Sequence, residues 1–172
     1  SKSLLREVFS CLNVKLCYQL IMKKIETFTL PETRFLSNFY PHKKDGGRYP
    51  HSVCVIYNDI KFDCTENAYQ AAKTIDVELQ KHFSEMSPYQ AKEYWEGREA
   101  DIRTDWGDIK LNIMQDLVWQ KFSNSLVLRE MLLDTKDSIL EEGNDWGDTF
   151  WGIDITTGEG QNNLGKILMD VR

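Results

Sequence analysis

The sequence predicts an α+β fold: a single compact, mainly helical domain carrying a small antiparallel sheet. Three observations lead there. Residues 52–64 alternate apolar and polar, the period of a half-buried strand pair. Several later segments combine helical spacing with capping residues at their starts. A length of 172 residues, 41% hydrophobic and 28% charged, suffices for one core and is unlike a disordered chain.

Taken in order, residues 1–21 place Leu5, Val8, Leu12 and Leu16 at helical spacing. They lack a signal peptide's charged start, unbroken apolar centre and small-residue cleavage site. They read as an extension, either foreign to the domain or a helix docked on it, with residues 22–172 as the domain proper from Met22 onward. The hairpin "SVCVIYNDIKFDC" turns at Asn58-Asp59, although the more favoured Asn-Gly is absent. Pairing Tyr57 with Ile60 sets Val55 opposite Phe62 and Val53 opposite Cys64 on one apolar face, while Cys54 and Asp63 point away. Thr65 is the expected cap of the next helix, in which Ala68, Ala71 and Ala72 are strong helix formers. Ser87-Pro88-Tyr89-Gln90 spells a capping box with proline at the first helical position. Asp105 is expected to cap a long helix through Phe122, with Ile109, Ile113 and Leu117 toward the core. Ser125 opens another helix, and the C-terminal residues from Asn162 form the last.

Residues 143–161 are different: five glycines, two tryptophans and no helical period. A long loop late in a small domain more often serves a function than a mere connection. The tetrapeptide Asp-Trp-Gly-Asp stands at 105–108 and again at 145–148. The first copy opens a helix, the second sits in this loop and nothing else aligns, so the two are not a duplicated unit.

Composition narrows the function. A net charge of −6 argues against a sequence-independent grip on nucleic-acid backbones. Cys11, Cys17, Cys54 and Cys64 form no C-x-x-C spacing, and His42, His51 and His82 pair with none of them at a zinc-type interval. No structural metal and no disulfide framework are expected, which suits a reducing cytoplasm. No apolar run approaches the ~18 residues that read as a membrane span.

Four groups of residues could carry chemistry. Glu66, Tyr69, Gln70 and Lys73 share a helical face at i, i+3, i+4 and i+7. Such a face is ordinarily a solvated stripe; alternatively Glu66 enters a cleft, with the helix dipole favouring its ionised form. Asp148, followed by Trp151-Gly152, is either a carboxylate among aromatic rings, poised for acid–base work, or a capped turn. "GQNNLGKI" approximates a phosphate-binding loop, but Ile167 stands where Ser or Thr would hold magnesium, so that motif is rejected. The same Gly/Asn turn into a helix still offers backbone N–H groups to a phosphate or ribose. Asn38 and Arg103 are single polar residues whose ordinary role is structural.

"FLSNFYP", "TENAYQAAK", "RTDWGDIK" with Met114 and Lys121-Phe122, "DTFWG" and "GQNNLGKILMDVR" occur in that order between Phe35 and Arg172. Together they resemble the NADAR superfamily, which includes the YbiA-like N-glycosidases and ADP-ribosyl-guanine glycohydrolases. The resemblance implies a compact α+β domain that hydrolyses the N-glycosidic bond between ribose and an amine or base. Members act on phosphorylated ribosylamino-pyrimidine intermediates of riboflavin synthesis, or remove ADP-ribose from the guanine amino group. Carried onto this sequence, it implies Glu66, Asp148 and Lys73 as catalytic residues. It implies Asn38, Gln70, Trp106, Lys110, Trp151, Asn163 and Gly165 as substrate-binding residues, with no cofactor and no metal. Asn67 departs from the pattern, standing where many members have histidine, and Trp146 belongs to no family motif and reads as loop packing.

Glu66 is thus expected to stabilise positive charge at C1′ or activate water there, and Asp148 to orient the ribose or assist the leaving group. Trp106 and Trp151 would stack on the base, and Lys73 would either keep Glu66 ionised or attack C1′ as a neutral amine. The implied partner is a nucleotide-like small molecule or one ADP-ribosylated guanine in nucleic acid, with no membrane and no obligate protein partner. Two other classes remain open: a non-catalytic ADP-ribose or NAD-binding module, which would not need the carboxylates, and an interaction domain with an exposed Trp146/Trp151 patch.

Overall fold

The hairpin forms with the register that alternation dictates. The structure, a computed structural model, describes residues 24–41 and 51–172. The helix expected within residues 1–21, the domain start at Met22, and His42 lie outside the described residues. Strand β1 (Lys24–Ile25) comes first, followed by a 3-10 turn over Arg34–Leu36. Strands β2 (Val55–Tyr57) and β3 (Ile60–Phe62) pair antiparallel, Val55 with Phe62 and Tyr57 with Ile60. Asn58 and Asp59 both take positive φ, 49° and 61°, the backbone of a two-residue hairpin turn that these two side chains tolerate better than most. The exposed edge of β2 is covered by a side chain: Gln120 accepts from the Ile56 N–H (2.8 Å) and donates to the Ile56 carbonyl (3.1 Å).

Six helices follow among the described residues: α1 (Thr65–Ala71), α2 (Val77–Glu85), α3 (Pro88–Glu93), α4 (Trp106–Ser123), α5 (Leu126–Leu133) and α6 (Asn163–Val171). The capping box at Ser87 closes in both directions and Ser125 caps α5 through the Leu128 N–H. Two expected caps do not form. Cys64 is the N-cap of α1, so Thr65 is the first helical residue. The Asp105 carboxylate is taken by a two-pronged pair with Arg103 (2.6 and 2.9 Å), so it accepts nothing from α4.

Two short parallel ladders escape the sequence reading. β4 (Ile139–Leu140) pairs with β1, and β5 (Gly143–Asn144) pairs with β6 (Ile153–Asp154) inside the stretch expected to be loop. With two residues per strand, no alternation was there to read. No helix among the described residues is long and apolar enough to cross a membrane.

Helix α1 sits at the centre, packed by the hairpin, α2, α3 and α4, while α6 lies on α4 and β4. The core is built from Phe62, Phe83, Leu117, Phe122, Leu128 and Leu140, all essentially without solvent exposure. Ile113 packs at its margin, while Ile109 is half-buried without packing on it. Lys121 is also buried, and it donates to the Ser37 carbonyl at 2.8 Å. Burial lowers its pKa to about 7.

Gly165 is a packing residue in α6. A Cβ there would collide with the Leu140 carbonyl and the Asn162 side chain. Gly165→Ala should therefore lower the denaturant midpoint, by about 1–3 kcal/mol in stability with an unchanged slope. An unaltered midpoint would show that this contact is loose.

Candidate active site

The first wall of the site is α1. Its start is held by the 34–40 turn: the Glu66 N–H and the Cys64 thiol both donate to the Asn38 carbonyl, each at 3.1 Å. All seven residues of α1 are buried, including Thr65, Glu66, Asn67 and Gln70. That is an unusual polar load for a helix interior, and it rules out a solvated stripe. Glu66, Tyr69, Gln70 and Lys73 line one cavity of about 380 Å³, within the range of small-molecule sites. Lys73 reaches it from just beyond the end of the helix. Asn67 faces elsewhere: its amide donates to the carbonyls of Phe83 and Met86, both at 2.8 Å, tying α1 to the end of α2.

The opposite wall comes from residues 142–151. Asn144 staples this segment by donating to the Asp148 carbonyl (2.8 Å) and the Ile153 carbonyl (3.2 Å) and accepting from the Asp148 N–H (2.9 Å). Asp148 Oδ1 in turn accepts from the N–H groups of Phe150 (3.1 Å) and Trp151 (2.9 Å). Asp148 is therefore both the capped turn and a cleft residue. Glu142, Trp146 and Trp151 line the cavity from the same side, and Phe39, Lys92 and Trp95 complete it. Lys92 lies over the rings of Phe39 (5.8 Å) and Trp146 (5.3 Å).

Five carboxylates, Glu66, Glu96, Glu99, Glu142 and Asp148, and two lysines thus line one cavity. Burial pushes the Glu66 carboxyl above its ordinary value. The hydrogen bond from Gln70 Nε2 (2.7 Å) and the charges of Lys92 and Lys73 oppose this, and Asp148 adds to it. The helix-dipole expectation is overturned here: a seven-residue helix cannot offset full desolvation. Burial lowers Lys73, helped by Lys92 and Lys110, against the pull of Glu66. Glu142 is half-buried and lines the cavity. Burial first, then the charges of Asp148 and Glu66, push it up to about 8. Asn38 Oδ1 and Gln70 Oε1 are buried acceptors with no hydrogen-bond partner. Buried acceptors on a cavity wall are what a ligand or ordered water satisfies.

Of the residues expected at the site, Glu66, Asp148, Lys73, Asn38, Gln70 and Trp151 converge on this cavity. Four do not line it. Trp106 packs against Tyr69 (5.0 Å between ring centroids), which stands between it and the cleft. Lys110 lies 3.7 Å from the centre of the Phe150 ring. Asn163 donates to the Phe150 carbonyl (2.8 Å) and Gly165 packs under β4. The N–H groups of Asn163 and Leu164 bond the carbonyls of Phe150 and Trp151, so these two donors of the Gly/Asn turn are taken.

Glu142, Lys92, Trp95 and Trp146 were missed. Trp146 is not loop packing: it is 56% exposed and forms the rim of the cleft. The only signal for Glu142 was its place just before the glycine-rich segment, and Lys92 looked like any surface lysine on a short helix.

The raised carboxyls carry a stability signature. Glu66 and Glu142 keep their protons to higher pH when folded than when unfolded. Between those two values the native state binds more protons, so stability falls as pH rises. For Glu142 the window runs from its ordinary value of 4.5 to about 8. Denaturant unfolding across that window should show stability declining, and Glu142→Gln should make the decline shallower. An identical slope in the variant would mean that Glu142 ionises normally.

The NADAR domain family model matches residues 27–172. A riboflavin biosynthesis protein of Vibrio vulnificus is 34% identical over 164 residues, 91% of this chain. The match spans 41% of that protein's length. The N-glycosidase YbiA of Shigella boydii is 31% identical over 139 residues, covering 79% of this chain and 78% of the relative. An N-glycosidase of Nostoc punctiforme is 32% identical, covering 72% and 79%. The NMR structure of E. coli YbiA shares the fold with a TM-score of 0.71, over 88% of this chain and 84% of that one, at 25% identity. With the family match running the length of the described domain and the α+β fold shared, the chain belongs to the NADAR domain family.

Proposed function

We propose that the chain is an N-glycoside hydrolase that cleaves the bond between ribose C1′ and a nitrogen of a nucleotide-like substrate. The observation that carries this reading is the enclosure of Glu66 in one cavity with Asp148, Lys73 and an aromatic wall. Cleavage builds positive charge on the sugar, and a carboxylate in a dry site stabilises that charge far better than one in water. Glu66 faces C1′ in this reading and receives the proton of the attacking water. Asp148, fixed through one oxygen by two amides, orients the ribose hydroxyls with the other. Trp151 and Trp146 hold the base.

Lys73 supports the ionised form of Glu66. Burial, which lowers its own pKa, also suits it to attack C1′ as a neutral amine and form an imine. Borohydride added during turnover separates the routes, because only the imine route leaves the sugar on the protein.

The substrate we favour is a phosphorylated ribosylamino-pyrimidine, since relatives in Vibrio vulnificus and Zea mays are named for riboflavin biosynthesis. ADP-ribose on the guanine amino group is the second substrate to assay. A non-catalytic ADP-ribose or NAD-binding module would have no use for a buried, poorly compensated Glu66, which favours the enzyme. Glu66→Gln should abolish base release, a loss of about 10²-fold or more, with an unchanged near-UV spectrum. Turnover matching the unaltered protein would defeat the assignment.

A further inference from the structure

Three of the carboxylates that line the cleft, Glu66, Glu142 and Asp148, are held differently, and the difference assigns them different work. Asp148 Oδ1 accepts two backbone N–H groups. Glu66 Oε1 accepts from Gln70 Nε2, and both cleft lysines draw Glu66 toward its ionised form. Glu142 has neither kind of support: no hydrogen-bond donor reaches its carboxyl among the described residues. The charged groups acting on it are Asp148 and Glu66, which repel its anion, and Lys92 and Lys121, which only partly offset them.

Its backbone is nonetheless fixed. The Glu142 N–H donates to Asn162 Oδ1 (3.2 Å) and its carbonyl accepts from the Ile153 N–H (2.9 Å). Gly152 approaches that carbonyl so closely that any Cβ would collide with it. A side chain so anchored lines the cavity without a partner of its own. Asn38 and Gln70, both more than nine-tenths buried, line the same cavity and each keeps one acceptor without a partner.

We propose that Glu142 is the general acid of the reaction, giving its proton to the nitrogen that leaves C1′. The inference rests on the hydrolase reading above. The O–H bond of Glu142 breaks as an N–H bond forms on the departing nitrogen. The C1′–N bond breaks with its electron pair staying on nitrogen. Water's oxygen bonds to C1′ and its proton passes to the Glu66 carboxylate. One carboxyl loses a proton and the other gains one, so the pair keeps its total charge and is reset by proton exchange with solvent. Glu66 has a hydrogen bond from Gln70 and two lysines that favour its anion, whereas Glu142 has no donor among the described residues. Two carboxyls held so differently suit an acid–base pair. The raised Glu142 carboxyl, at about 8, agrees with a group that still carries its proton at neutral pH.

The test compares leaving groups. Glu142→Gln is assayed on a ribosylamino-pyrimidine 5′-phosphate, whose amine must be protonated to leave. It is also assayed on 4-nitrophenyl riboside 5-phosphate, whose phenolate departs unaided. Turnover of the amine substrate should fall by about 10²–10⁴-fold, while that of the nitrophenyl substrate stays close to the unaltered rate. With the amine substrate the rate of the unaltered protein should fall toward high pH, and that fall should vanish in the variant. Equal losses on both substrates, or no loss on the amine, would overturn the role of Glu142. Failure of the unaltered protein to release base from either substrate would instead overturn the hydrolase reading.

Discussion

The desolvation of Glu66 is the constraint on which the site depends. A carboxyl removed from water must be neutral, paired or hydrogen-bonded. Here each remedy is present in part: one donor from Gln70, two lysines at the rim, and a carboxyl still raised above its ordinary value. The incomplete compensation persists because α1 is clamped on every side, by the hairpin before it, α2 and α3 after it, and α4 beneath. A helix that packed on one face only would rotate its polar residues out to water. The apolar core and the polar cavity are in this sense one design: the same packing that stabilises the domain keeps Glu66 dry.

The second wall is held by side chains where sheet would ordinarily do the work. Asn144 bridges the segment from Asp148 to Ile153, and Asn162, itself in the left-handed conformation at φ 51°, bonds the Leu140 carbonyl (2.8 Å) and the Glu142 N–H. Ladders of two residues could not fix two carboxylates in a cleft, but amides with two donors and an acceptor can. Gly152 supplies the close approach that brings β6 onto the Glu142 carbonyl. Lys121 has a parallel role on the first wall, where its buried ammonium holds the Ser37 carbonyl next to Asn38. Buried polar groups here thus place the two walls relative to each other.

Much of this was legible in the residues, and the exceptions have physical causes. The hairpin register followed from strict alternation, and the helices over 88–93 and 126–133 from their caps. The face Glu66-Tyr69-Gln70-Lys73 was readable as a face, but its burial was not, because a polar stripe looks the same on a surface and in a cavity. Asp105 failed as a cap because Arg103, two residues away, outcompetes a backbone N–H for its carboxylate. Trp146 lines the cavity and Trp106 does not, packing on Tyr69 instead, a placement that no single-sequence pattern carries. Glu142, in a run with no periodicity, had no signal beyond its neighbours.

The cleft holds Glu66 and Glu142 so that their protonation is split from that of surface carboxylates. Carbon-13 NMR titration of glutamate-labelled protein reads this directly, with Glu66→Gln and Glu142→Gln assigning the signals. The account predicts two carboxyl resonances titrating well above the ordinary glutamate value of about 4.3, with the Glu142 signal changing near pH 8. If both resonances titrate together with the exposed glutamates, the cleft is wet, and the account of its chemistry fails.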